Sequence, residues 1–182
     1  MKTLKTMSLL ASMLMLAPAF TSCGNDDKDE PAETDHVVGS YSGTMVATVS
    51  AMGNIYDDIE MPETYTVRIS AQDEVSGRVT VELPECSYTP PMSSTAETIP
   101  AIRIDNVKVE DKGNGLYSLD KDEYTCELGG TQYRVEIFDY DKDDKDREDG
   151  TTIAGRDIRL VYSIVPGKMP GFINFTFTGT LK

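Results

Sequence analysis

The chain has 182 residues, with 17 basic against 31 acidic side chains, a formal charge of −14 and an isoelectric point of about 4.4. A surface this acidic repels phosphate backbones and anionic lipid headgroups, which excludes nucleic acid as a natural partner. Three cysteines and one histidine also leave little material for a zinc site or a Ser-His or Cys-His nucleophile pair.

In chain order, Lys2 and Lys5 precede a run at 7–20 that carries no charge and is interrupted only by Ser8, Ser12 and Pro18. The run is shorter than the roughly 20 apolar residues of a spanning helix, and residues 1–22 read as a signal peptide. Thr21 and Ser22 are small and sit directly before Cys23. The segment resembles a bacterial lipobox of the Bacteroidetes type, with Phe20 where Leu or Val is usual. The resemblance implies that Cys23 carries a lipid and becomes the N-terminus, held to the outer membrane.

Residues 23–36 then form a tether: 24–35, "GNDDKDEPAETD", hold six carboxylates and nothing that could anchor a core, so the segment cannot offset its ordering entropy. "DDKDE" resembles the export signal that sends Bacteroidetes lipoproteins to the cell surface. His36 is expected as a solvated residue at the tether's end. Without the leader, 160 residues remain with 15 basic against 31 acidic, a formal −16, enough for one domain over 37–182.

From residue 39 the hydrophobic pattern has period two. Tyr41, Gly43, Met45, Ala47 and Val49 share one face of the first strand. Tyr65, Val67 and Ile69 do so in 64–70, and Val79, Val81 and Leu83 in 77–83. In 102–109, Ile102 and Ile104 fall out of phase with Val107 and Val109, which predicts a bulge at Asp105 and Asn106. A fifth segment covers about 116–128, as one strand or two short pieces. The sixth aligns Tyr133, Val135 and Ile137; the seventh Ile158, Leu160, Tyr162 and Ile164; the eighth Ile173, Phe175 and Phe177. No stretch keeps a helical period. The class is all-β, with eight antiparallel strands arranged as an up-and-down barrel or as a sandwich. Small residues in "GSYSGT" and "FTFTGTL" fit a barrel closed by its first and last strands.

The early "VVGSYSGT", the central "IRIDNVKV" with its following Gly-Asn turn and "LYSL", and the terminal "INFTFTGT" resemble the calycin-like domain of Bacteroidetes lipoproteins over about 37–182. The resemblance implies an eight-stranded, lipocalin-like barrel. Its motifs are structural and transfer no functional residue.

Candidate sites are few. Cys86 and Cys126 form an even pair in a compartment that permits disulfides, either bridged or as two separate thiols. In the acidic loop 139–150, Asp139, Asp141 and Asp143 match the first ligand positions of a calcium loop. Asp144 stands where that loop needs Gly, and Gly150 where it needs a bidentate Glu, so a solvated hairpin tip is expected and no metal. No cofactor and no catalysis are expected.

Two binding readings remain. An eight-stranded barrel is wide enough for side chains or one small ligand. A small apolar or amphipathic ligand would then be lined by Tyr41, Met45, Tyr65, Tyr133, Tyr162 and Phe175, with Val67 and Val135 beside them. The alternative is a protein-interaction or inhibitor module with a filled core, acting through loops such as the proline-rich 84–100. What fills the lumen separates the two.

Overall fold

The computed structural model describes residues 33–182 apart from 52, 73–76, 91–93, 142, 144–148 and 168–170. The expected signal peptide, Cys23 and most of the expected tether lie outside the described residues. Eight long strands form the wall of a closed antiparallel barrel: β1 (Gly39–Ala51), β2 (Asn54–Ala71), β3 (Arg78–Leu83), β6 (Ile102–Gly113), β7 (Leu116–Leu128), β8 (Thr131–Ile137), β10 (Asp157–Pro166) and β11 (Gly171–Leu181). Three short strands are inserted between them: β4 (Cys86–Tyr88) and β5 (Glu97–Ile99) pair as a separate hairpin, and β9 (Thr152–Ala154) fills the wall between β7 and β10.

Closure is made where the small residues indicated. β1 pairs with β11 from Tyr41↔Leu181 to Ala51↔Gly171, and Gly43 stands opposite Gly179. A Cβ on Gly43 would lie 1.9 Å from the Thr178 carbonyl oxygen, so only glycine lets these two backbones approach at the closing seam. The predicted bulge is also present. Val79 pairs with Val107 and Val81 with Ile104, so Thr80 opposes both Asp105 and Asn106. Asn106 takes φ 60°, a left-handed conformation that Asn tolerates better than most residues. Thr80 Oγ1 donates to Asp105 Oδ1 at 2.7 Å, and Arg78 donates to the Asn106 carbonyl at 2.9 Å, which fastens the bulge from the neighbouring strand.

Two features depart from the sequence reading and one resolves an alternative it left open. β2 begins at Asn54, ten residues before the alternation at 64, because register shifts opposite Thr44 and Thr48 break its period. The fifth segment is a single strand, entered through Asn114 and Gly115, both at positive φ (57° and 74°) as a tight hairpin turn requires. The tether ends earlier than residue 36: Glu33–His36 form one 3-10 turn, Thr34 and Val37 are buried, and the His36 ring stacks on Tyr117 at 5.1 Å. That packing onto β7 is long-range, and no local pattern announces it.

Strand direction gives the barrel two ends. One gathers the N-terminal turn, the 113–115 and 138–156 connections and the C-terminus. The opposite end gathers the β1–β2 and β7–β8 turns and the β4–β5 hairpin.

Candidate functional site

The lumen is built by the alternation itself. Every second residue of the wall strands points inward, and the inward set forms one continuous buried cluster reaching from Val37 through Tyr41, Met45 and Phe175 to Cys86 and Ile99. Tyr41, Tyr162, Phe175, Phe177 and Met45 are among its largest fully buried side chains. Tyr162 and Phe175 stack with ring centroids 5.1 Å apart.

The six candidate lining residues all lie in this cluster. Tyr41, Met45, Tyr162 and Phe175 are at most 1% exposed, Tyr65 4% and Tyr133 8%. The deepest phenols are satisfied by the protein. Tyr41 donates to the Val37 carbonyl at 2.9 Å, which ties the N-terminal turn to β1, and Tyr162 donates to Met45 Sδ at 3.0 Å. Burial raises both phenols above their ordinary pKa, Tyr162 well above it. Among the described residues no buried side-chain nitrogen or oxygen lacks a hydrogen-bond partner.

The proline-rich insertion is not a simple loop. β4 and β5 turn Cys86, Tyr88 and Ile99 into the core while Ser87 and Thr98 face outward, 2.9 Å apart. The hairpin therefore plugs one end of the barrel, as the N-terminal turn packs at the other. Residues 84–88 and 97–100 alternate too briefly for periodicity to identify them as strands.

Cys86 and Cys126 are both free thiols, one buried in β4 and the other partly buried in β7. The bridge that the sequence left open is not formed; the hairpin holds Cys86 down over the core, while Cys126 sits in the wall opposite Tyr133. Burial, with a smaller contribution from Glu85, pushes the Cys86 thiol up to about 12. At pH 8 a maleimide should therefore modify Cys126 at least about tenfold faster than Cys86, since the thiolate is the nucleophile. Peptide mapping measures this, and a mass showing a bridge between the two would contradict it.

The base of the acidic loop is fastened by buried polar groups. Ser118 Oγ donates to the Thr151 carbonyl at 2.7 Å and accepts from the Tyr140 amide at 2.8 Å. Thr151 Oγ1 in turn accepts from the Val161 amide at 3.0 Å. Lys112 pairs with Glu110 at 2.7 Å and with Asp139 at 3.6 Å. Asp141 Oδ1 accepts the Asp143 amide at 2.9 Å, so it serves the turn. Among the described residues no three His, Cys, Asp or Glu side chains gather as a metal site; Asp144 lies outside them.

Four open grooves mark the surface, and none of these four is lined by any of the six candidate residues. One of about 330 Å³ runs over β8, β10 and β11 beside Arg134, Ser163, Val165, Phe172 and Asn174. A second, of about 280 Å³, lies beside Arg68, Glu82 and Arg103.

No protein-family model matches the chain, and no curated protein matches it significantly. Among solved structures it is similar to a provisionally named outer membrane protein from Bacteroides fragilis. The TM-score is 0.59 at 17% sequence identity, over 82% of this chain and 52% of that one. The chain thus spans about half the length of that protein, and the likeness is one of fold.

Proposed function

We propose that the chain is a surface-anchored lipoprotein whose calycin-like barrel is a filled scaffold, non-catalytic, that binds a protein partner through its loops and outer wall. The observation that carries this is the satisfied lumen. A pocket awaiting an amphipathic ligand would leave buried phenols to be paired by that ligand, whereas Tyr41 and Tyr162 are paired by Val37 and Met45. Both ends are also covered by the chain's own turn and hairpin. The only histidine, His36, stacks on Tyr117 at the end opposite Cys86 and Cys126, so among the described residues neither thiol has an imidazole beside it.

Titration of the soluble domain with a fluorescent fatty acid tests the reading: no saturable binding is expected. Saturable binding that weakens in a folded Tyr162→Trp variant would replace it with a lumenal ligand site. The anchoring is supported by the lipobox and by the likeness to a provisionally named outer membrane protein. Cys23→Ala is expected to abolish incorporation of labelled palmitate and release the protein from the membrane fraction; retention of both label and membrane would remove the lipid anchor.

A further inference from the structure

The wall of the barrel is not hydrogen-bonded all the way round. β6 and β7 pair only from Lys108↔Asp120 to Gly113↔Leu116. Beyond that point 102–107 of β6 are paired on one side only, to β3, and 121–128 of β7 on one side only, to β8. β2 also has an unpaired edge between Asn54 and Val67, but β4 packs against that strand. The β6–β7 gap is different, because two unpaired edges face it and no described element lies between them.

Each edge presents backbone N–H and C=O groups without a ladder partner, a template for an added strand, except at Asn106, whose amide donates to Gln72 Oε1 at 3.2 Å and whose carbonyl accepts from Arg78 at 2.9 Å. The side chains around the gap specify what that strand would carry. On the inner face Tyr124, Cys126 and Leu128 are partly buried against the core, and the Tyr124 phenol is raised by burial and then by Cys126, with Asp105 and Arg103 of β6 also acting on it. On the outer face Glu123, Thr125 and Glu127 are exposed along one side of β7. Arg103 on β6 is already engaged by Glu82 and Asp105 at 3.3 and 3.2 Å.

We infer that the gap between 102–107 and 121–128 receives an extended segment of a partner protein, about six residues long, whose apolar side chains point to Tyr124 and Leu128 and whose alternating basic side chains meet Glu123 and Glu127. Strand addition suits a filled barrel: backbone pairing supplies the binding, and the alternation supplies the choice of sequence. This deepens the protein-partner reading above and rests on it.

The probe is a synthetic seven-residue peptide alternating lysine with valine or isoleucine, added to the soluble domain and followed by amide hydrogen exchange. In the free protein, amides of 102–107 and 121–128 should exchange faster than those of β1, which is paired on both sides. Bound peptide should slow exchange at least about tenfold in both segments together, as paired backbone requires. Glu123→Lys combined with Glu127→Lys should weaken the peptide at least about tenfold while the circular dichroism stays unchanged, and a proline placed mid-peptide should weaken it likewise.

Protection of both segments already in the free monomer means that the chain pairs these edges itself and overturns the inference. Concentration-dependent protection with a dimer in sedimentation equilibrium assigns the gap to a second copy, which also overturns it. Peptide binding that protects the loops while leaving the gap exchanging overturns the inference yet leaves the protein-partner reading standing. Fatty-acid binding in the lumen sinks the latter independently.

Discussion

Gly43→Ala is expected to cost about 3 kcal/mol or more, and with it the closure of the barrel at ordinary temperature. The added Cβ would meet the Thr178 oxygen at 1.9 Å and the Gly179 Cα at 2.5 Å. Both are backbone atoms held in the β1–β11 ladder, so nothing near can yield without unpairing it. Two companion variants set the scale. Gly179→Ala meets the Phe177 ring edge at 2.7 Å and the Ser42 oxygen at 2.8 Å, and the ring can turn, so a smaller loss is expected. Gly155→Ala meets nothing within 4 Å but imposes φ +59° on alanine, a penalty of about 1 kcal/mol. Chemical denaturation of the three variants measures the order Gly43, Gly179, Gly155. An equal loss at all three would mean that the glycine pair does not set the closing distance.

Phe175→Ala removes the ring that stacks on Tyr162 and should destabilise the domain by about 3–5 kcal/mol, as large-to-small changes in packed cores do. It also tests how full the lumen is. A fully buried ring deleted from a capped interior leaves an apolar cavity that stays dry and takes a small aromatic molecule such as benzene. The variant should therefore be restabilised by benzene, in proportion to the logarithm of its concentration, while the parent protein is not. Restabilisation of the parent to the same degree would reveal a lumen already open.

Most of the barrel wall was legible because period-two alternation is a local signal, whereas β2 before residue 64 was hidden by the register shifts that break its period. Tyr41 to Val49 and Ile158 to Ile164 stand inward as their spacing required. Even the bulge at Asp105 and Asn106 was readable, since a one-residue slip shifts every following side chain to the other phase. What failed was what depends on distant partners. Cys86, Tyr88 and Ile99 look like loop residues until the barrel end beneath them exists to be plugged. Thr34 and His36 look like tether until Tyr117 is there to receive the ring. The six candidate lining residues were correctly placed inside, but sequence could not say whether their hydroxyls met the protein or a guest. For Tyr41 and Tyr162 the partners are Val37 and Met45, four and 117 residues away in sequence, and no local pattern announces them.

The N-terminus of β1 and the C-terminus of β11 lie side by side, with the Lys182 amide bonded to the Ser40 carbonyl at 3.0 Å. A chain held from its N-terminal side and pulled from the far end of the barrel would transmit force along the axis of β1. That strand is flanked on both sides, by β11 and by β2. Tension would then have to slide it past both neighbours, breaking many backbone bonds at once instead of peeling them one by one. Under the N-terminal anchoring proposed above, the domain would be mechanically stiff when pulled along β1, and soft to force applied at the C-terminus and directed away from β1, which can unzip β11 pair by pair.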